Sequence, residues 1–425
     1  MTARTLTEWL DYQQRVHPRA IELGLQRVAE VWRRLGAPPP APVVITIGGT
    51  NGKGSTVAFL EAMLHAAGKR VGAYTSPHLL RYNERVRVLG EEAGEAALVD
   101  AFERIEAARG EIALTYFEFG TLAALWIFSQ SGLDVALLEV GLGGRLDAVN
   151  IVDVDAMIVT TVDLDHQDWL GNDIDSIARE KAGIFRAHRP AIIGMREPPA
   201  GLLKEGERIG ARLVRAGRDY HVEPRADDWH WQCGNDGLDL PYPSLAAPCQ
   251  IDNAAAALAA LYVLRDRLGW SPQALGEGVR GAHASARLQR FAKPGAAELV
   301  IDVAHNPQAA RTLGAWLAQH PARTLAVFGA LSDKDVGGIV EPLGVHIDHW
   351  FLAGLERDTP RGLSAAQLRE RTPAAARMSE FADVGTALNA ALARAGAQDR
   401  IIAFGSFFVA ASALAWARNN GYFTA

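Results

Sequence analysis

Short runs of consecutive apolar residues alternate along this chain with longer stretches in which apolar residues recur every three or four positions. The runs at 43–47, 71–74, 135–140, 156–162 and 191–193 have the length and β-branched content of strands buried on both faces. Helical periodicities lie between them, and each run empties into polar or glycine-rich residues. That is the pattern of a parallel sheet wrapped by helices, where ligands gather at the carboxyl ends of the strands. An amphipathic opening helix and the break Pro38-Pro39-Pro40 precede the first strand-like run. Between about Asp219 and Gln250 the texture changes to short alternations of Trp, His, Asp, Gly and Pro, which predicts a small antiparallel patch, with a helix over 253–268 after it. A second strand-and-helix series follows Phe291-Ala292-Lys293-Pro294-Gly295, with strands at 299–303, 325–328, 350–352 and 401–404. The expectation is an α/β chain of two domains: residues 1–287, a P-loop ATPase-like parallel sheet wrapped by helices, and residues 288–425, a smaller Rossmann-like α/β domain.

Composition narrows the class. A chain of 425 residues, 49% hydrophobic and 22% charged, has enough apolar material for two cores. Its net charge of -6 argues against a nucleic-acid partner, which demands a basic surface. Anionic small ligands must then be held by local cations. The two cysteines, Cys233 and Cys249, form no metal-ligand spacing and read as reduced thiols. No signal-peptide run and no uninterrupted apolar stretch of membrane length is present, so the expected setting is the cytoplasm, without a membrane partner.

The richest chemistry follows the first strand, in Gly49-Thr50-Asn51-Gly52-Lys53-Gly54-Ser55. Glycines let backbone N–H groups converge on an anion, the lysine adds charge, and a helix then points its positive end at the same spot. This is a cradle for a nucleotide triphosphate. The strict phosphate-loop pattern has a hydroxyl directly after the lysine, whereas here Gly54 intervenes before Ser55.

Other strand ends carry further candidates. Glu139 closes an otherwise apolar strand, where a carboxylate is costly unless paired or bound to a cation. A buried pair with Arg145 is one reading, and a magnesium ligand beside the phosphate loop is the favoured one. Asp163-Leu164-Asp165-His166-Gln167-Asp168 leaves the sheet on the same side, making His166 a second metal candidate. A helix capped by Asn172 or Asp173 places Lys181 on its apolar stripe. That lysine either snorkels to water, which physics alone favours, or is buried and becomes a nucleophilic amine. Thr75-Ser76-Pro77-His78 opens a loop in which Ser76 could join a magnesium shell, with Arg81 or Arg85 facing an anionic substrate. Thr115-Tyr116-Phe117-Glu118 is either ordinary core or a wall for a flat heteroaromatic ligand. In the second half Asp302 and His305 end another strand, which implies a site assembled across a cleft, and Arg287 sits at the domain junction.

Gly49 to Ser55, Thr75-Ser76-Pro77-His78-Leu79, Glu139-Val140-Gly141-Leu142-Gly143-Gly144-Arg145-Leu146-Asp147, Asp165-His166, Arg179-Glu180-Lys181-Ala182-Gly183-Ile184-Phe185 and Asp302-Val303-Ala304-His305-Asn306-Pro307 together resemble the folylpolyglutamate synthase family, in its bacterial bifunctional dihydrofolate synthase/folylpolyglutamate synthase branch. That family belongs with the Mur ligases. The resemblance implies an ATP-dependent ligase that joins L-glutamate to dihydropteroate, and to the γ-carboxyl of tetrahydrofolate, through an acyl phosphate. It implies ATP contacts from Thr50, Asn51, Gly52, Lys53, Gly54, Ser55, Asn253, Arg287 and Asp302, with His305 steadying the acyl phosphate. It further implies magnesium held by Ser76, Glu139, His166 and Lys181, the last as a carbamate, with a monovalent cation as an additional cofactor. The pterin falls to Glu22, Leu23, Gly24 and Leu25, to Thr115, Tyr116, Phe117 and Glu118, and to Leu146, Asp147 and Ala148, in a monomeric enzyme. Many relatives carry a histidine before Asn253, where this chain has Pro248-Cys249-Gln250.

Two rival readings accompany this one. A Mur-type ligase acting on another carboxylate carries an additional N-terminal domain, whereas here the phosphate loop begins within about fifty residues of Met1. A nucleotide-binding regulator without chemistry has no use for Glu139, His166, Lys181, Asp302 and His305 together.

Overall fold

The computed structural model describes residues 4–19, 21–165, 167–171, 173–372 and 377–424. The chain divides into two compact units, one running from the N-terminus through Ser244 together with Ile251–His283, the other comprising Leu245–Gln250 and the chain from Ala284 onward.

The first unit is built on an eight-stranded sheet of β1 (Val43–Gly48), β2 (Val71–Tyr74), β3 (Val86–Val88), β4 (Glu91–Glu92), β5 (Val135–Glu139), β6 (Ala156–Val159), β7 (Pro190–Ile193) and β8 (Arg212–Arg215). Their order is β4-β3-β2-β5-β1-β6-β7-β8. β2, β5, β1, β6, β7 and β8 run parallel, while β3 pairs antiparallel with β2 and β4 antiparallel with β3. β1, β5 and β6 are buried along their whole length, as apolar runs in a sheet covered on both faces must be. Ile47 of β1 lies opposite Glu139 of β5 and Ile158 of β6. This register brings three chemistry-bearing loops to one edge, after Gly48, Glu139 and Val159.

β6 stops at Val159 rather than running to 162, because Thr160 and Thr161 turn to bond the phosphate loop. β8 eluded the sequence pattern: Arg212-Leu213-Val214-Arg215 has charge at both ends and buries only Val214, as a half-exposed edge strand does. A separate antiparallel sheet, β9 (Tyr220–Pro224), β10 (Asp228–Cys233) and β11 (Asp236–Pro241), occupies the predicted patch. Every second residue of β10 (Trp229, Trp231, Cys233) is buried, and the indole N–H of Trp231 donates to the Ala255 carbonyl at 3.3 Å. The helix expected over 253–268 is two, Gln250–Val263 and Arg265–Leu268, because Leu264 leaves helical geometry and bonds Leu261 across a tighter turn.

The second unit holds a seven-stranded sheet of β12 (Gln289–Ala292), β13 (Glu298–Ile301), β14 (Thr324–Phe328), β15 (His349–Ala353), β16 (Met378–Phe381), β17 (Arg400–Phe404) and β18 (Phe423–Thr424), in the order β16-β15-β14-β17-β13-β12-β18. Its five central and edge strands from β16 to β13 are parallel, and β12 and β18 pair antiparallel. The two-domain α/β architecture is the one the apolar pattern predicts. Among the described residues no helix is long and apolar enough to cross a membrane.

Candidate active site

The phosphate loop is clamped from the neighbouring strand end. The amide of Thr50 donates to the Thr161 carbonyl at 2.7 Å, and the amide of Asn51 to the Thr161 hydroxyl at 3.0 Å. The Thr160 hydroxyl lies 2.6 Å from the Asn51 carbonyl, and the Thr50 hydroxyl accepts the Asp163 amide at 3.0 Å. Gly52 caps the helix Lys53–Ala66 in left-handed geometry (φ 88°), and a Cβ there would meet Asn253 Oδ1 at 2.4 Å. Asn253, far off in sequence, therefore abuts the loop. Lys53 Nζ donates to the carbonyls of Gly49 and Thr50 at 3.0 and 3.1 Å, which folds the lysine back over the turn it serves. Thr160 and Thr161 escaped the sequence reading; the available signal was two hydroxyls ending an apolar strand.

Glu139, 4% exposed, accepts the Ser76 amide at 3.1 Å, so the carboxylate at the end of β5 and the loop after β2 meet. Arg145 is not its ion-pair partner: that guanidinium is more than half exposed and pairs with Glu180 at 2.7 Å. Among the described residues no three His, Cys, Asp or Glu side chains cluster into a metal cage. One buried carboxylate beside a serine suits a hard cation such as magnesium, which keeps waters and phosphate oxygens in its shell. His166 lies outside the described residues.

Lys181 does not snorkel. It is 4% exposed, and burial, reinforced by the nearby charge of Lys53 and opposed by Asp165, lowers its pKa to about 7. Asp173 caps its helix, Ile174–Ala182, and the glycine loop closes the other end: a Cβ on Gly144 would come within 3.1 Å of the Lys181 carbonyl. At neutral pH a large share of this amine is unprotonated and nucleophilic.

The three segments that the resemblance assigns to the pterin converge. The Gly24 amide donates to the Leu146 carbonyl at 3.4 Å, and a Cβ on Gly141 would strike the Phe117 ring at 2.5 Å. Asp147 caps the turn Ala148–Ile151 and accepts the amides of Leu142 and Val149 at 2.8 and 3.1 Å. Burial raises its pKa to about 6 against those bonds and against the attraction of Lys53. Glu118 forms a capping box with Thr115, which explains why the helix Tyr116–Gln130 starts where it does. Arg27, absent from the sequence reading, joins two of the segments by donating to both Glu22 and Glu118.

Arg85 and His78 form a neighbouring wall. Arg85 Nε donates to His78 Nδ1 at 2.8 Å, and the guanidinium lies over the rings of Tyr82 and Tyr116. Burial, then the charge of Arg85, lowers the His78 pKa to about 4, so this imidazole is neutral. The loop keeps its shape because Glu84 accepts three successive amides, from Leu79, Leu80 and Arg81, each at 2.7 Å.

In the second unit, Asp302 accepts the amides of Leu288 and Ala304, both at 2.7 Å, while burial raises its pKa. Arg287 stands between Ala286 (φ 53°) and Leu288 (φ 48°), two non-glycine residues in left-handed geometry, and lies over the Phe407 ring. His305 Nδ1 is 2.8 Å from the Val303 carbonyl, which can only accept, so Nδ1 carries a proton and donates it there. Its ring packs near Phe407 as well, so these three polar residues share one end of this sheet.

Comparisons with known proteins show the family and the fold. Residues 47–261 match the Mur ligase middle domain, and residues 286–407 the Mur ligase, glutamate ligase domain. The dihydrofolate synthase/folylpolyglutamate synthase of Escherichia coli (strain K12) is 46% identical over 412 residues, covering 96% of this chain and 94% of that one. The solved E. coli FolC in complex with DHPP and ADP is similar with a TM-score of 0.92 at 45% identity, covering 99% of both chains. A bifunctional folylpolyglutamate synthase/dihydrofolate synthase with Mn, AMPPNP and L-glutamate bound is similar with a TM-score of 0.88 at 47% identity, covering 97% of this chain and 98% of that one. The chain belongs to the dihydrofolate synthase/folylpolyglutamate synthase family of Mur ligases.

Proposed function

We propose that this chain is an ATP-dependent carboxylate–amine ligase that joins L-glutamate to dihydropteroate and to the γ-carboxyl of tetrahydrofolate. The observation that carries this reading is that the phosphate loop after β1 and the buried carboxylate of Glu139, bonded to the Ser76 amide, end neighbouring strands at one edge of the sheet. A carboxylate is a poor electrophile. Its oxygen therefore attacks the γ-phosphorus of ATP, ADP leaves, and an acyl phosphate forms. The glutamate amine then attacks the acyl carbon, loses a proton, and phosphate departs. The amides of 50–55 and Lys53 hold the phosphates, with Asn253 against Gly52 and with Arg287 and Asp302 as further nucleotide contacts. His305 would steady the acyl phosphate. Magnesium, when bound, supplies neutralisation of charge on the transferring phosphoryl group. Ser76, Glu139, His166 and Lys181 as a carbamate would hold it. The pterin would occupy the segments 22–25, 115–118 and 146–148. A monomer working in the cytoplasm completes the proposal.

ATP hydrolysis assayed with dihydropteroate plus glutamate, and separately with tetrahydrofolate plus glutamate, tests it. Both pairs should stimulate turnover, and silence from both would remove the folate reading. Glu139→Gln should lower turnover by roughly 100-fold or more and shift the magnesium titration to higher concentration. An unchanged titration would take Glu139 out of the metal site.

A further inference from the structure

We infer that Arg27 is a positioning residue for the pterin substrate, pinning the 22–25 segment onto the helix Tyr116–Gln130 without touching the reacting atoms. The inference rests on the pterin reading above. Residues 21–24 have no regular secondary structure, so no sheet ladder or helix holds them in place. Arg27 supplies the missing fixture. One terminal nitrogen donates to Glu22 Oε1 at 2.8 Å, and the other serves both the Glu22 carbonyl and Glu118 Oε1, each at 3.0 Å. Its Nε is buried without a hydrogen-bond partner, so the guanidinium is held in this orientation by its forked end.

Glu118 is the anchor. Its side chain is only 4% exposed, and its second oxygen already accepts the Thr115 amide at 2.7 Å. Each oxygen thus has a partner within the protein, which fixes the carboxylate and makes Glu118 the holder of Arg27. His17 and Arg19 lie 3.4 and 3.7 Å from the other oxygen of Glu22, but both precede Glu22 on the same short stretch of chain. Among the described residues, the fork of Arg27 is what connects Glu22 to a buried residue 91 positions from Arg27. Gly24, which bonds Leu146, sits directly over that fork: a Cβ there would lie 4.0 Å from an Arg27 nitrogen. Moving Arg27 therefore moves the segment that closes on Leu146.

Steady-state kinetics of Arg27→Ala and Arg27→Lys, with each substrate varied in turn, test this alongside amide hydrogen exchange at 22–25. Arg27→Ala should raise the KM for dihydropteroate on the order of 10- to 100-fold, leave the KM for ATP near wild type, and speed exchange at 22–25, while the urea midpoint falls because buried Glu118 loses its cation. Lysine keeps the charge but reaches only one acceptor, so Arg27→Lys should show a smaller rise. Adding Glu118→Gln to Arg27→Ala should cost little more, since the two act as a unit. An unchanged dihydropteroate KM would overturn the inference, as would ATP and dihydropteroate KM values rising together. If the wild type does not turn over dihydropteroate, the pterin reading falls, and exchange at 22–25 still decides whether Arg27 pins the segment.

Discussion

Lys181→Met is expected to make the protein more stable and to abolish ligation. Burial and the nearby charge of Lys53 bring the folded pKa from 10.5 to about 7, so folding at neutral pH or below must hide a cation that the unfolded chain leaves in water. Above 10.5 the amine is neutral in both states and burying it carries no electrostatic penalty. Between 10.5 and 7 the unfolded chain binds the proton that the folded one has lost, so wild-type stability falls as pH drops through that window. Each unit of displacement is worth about 1.4 kcal/mol, and methionine fills a similar volume without charge. In carbon-dioxide-free buffer at pH 6 the variant should gain on the order of 2–4 kcal/mol by urea melts, and the gain should shrink toward zero near pH 10.5. A gain independent of pH would refute the buried-cation account. Turnover should fall on the order of a thousandfold, because the neutral amine attacks carbon dioxide to give the anionic carbamate proposed at the metal site, and methionine has no amine. An ordinary lysine is unprotonated about once in 3,000 molecules at pH 7, whereas this one is unprotonated in a large fraction. Removing bicarbonate should silence the wild type reversibly, and a fully active Lys181→Met would end the carbamate proposal.

The same lysine marks how far the sequence could be read. Helical spacing placed it on an apolar stripe, but not under the glycine loop whose Gly144 lies against its carbonyl. Whether a lysine snorkels depends on what covers the stripe, and that is a tertiary fact. The phosphate loop and Glu139 were legible because their chemistry is local, with an apolar strand ending in the residue types that handle phosphates and cations. Of the three segments proposed for the pterin, 115–118 offered an aromatic wall by its residues alone, whereas 22–25 and 146–148 were named only through the family resemblance; all three lie together in the structure. Arg27 was not legible, since its meaning lies in a carboxylate 91 positions away. Nor were Thr160 and Thr161, which read as the tail of a strand until the loop they clamp is seen beside them. In the folds themselves, the buried strands announced themselves as apolar runs. The edges β8 and β16, with polar and half-exposed positions, did not.

Gly49→Ala is expected to weaken nucleotide binding severely. Gly49 has φ 141°, a conformation that an L side chain rarely adopts, and its added Cβ would lie 1.9 Å from the Thr160 hydroxyl and 3.1 Å from the amides of Thr160 and Thr161. The hydroxyl is the far end of a side chain and can give way, but it would surrender its bond to the Asn51 carbonyl. The amides are backbone and cannot, so the loop itself must shift, and with it the N–H groups proposed to hold the phosphates. Backbone strain of about 1–3 kcal/mol adds to the lost clamp. Dissociation of a fluorescent ATP analogue should weaken by roughly 100-fold or more, and turnover should fall with it. Thr160→Ala alone keeps the glycine geometry and loses only hydroxyl bonds, so its defect should be smaller. The pair Gly49→Ala with Thr160→Ala should recover only part of the binding, because the backbone contacts and the φ penalty survive. Gly36→Ala is the control: it has φ 89° with nothing within 4 Å of its added Cβ, so it should lose stability without changing nucleotide affinity. Wild-type affinity in Gly49→Ala would mean that the loop is not held by the clamp from β6, and that its phosphate geometry comes from the glycines and the helix end alone.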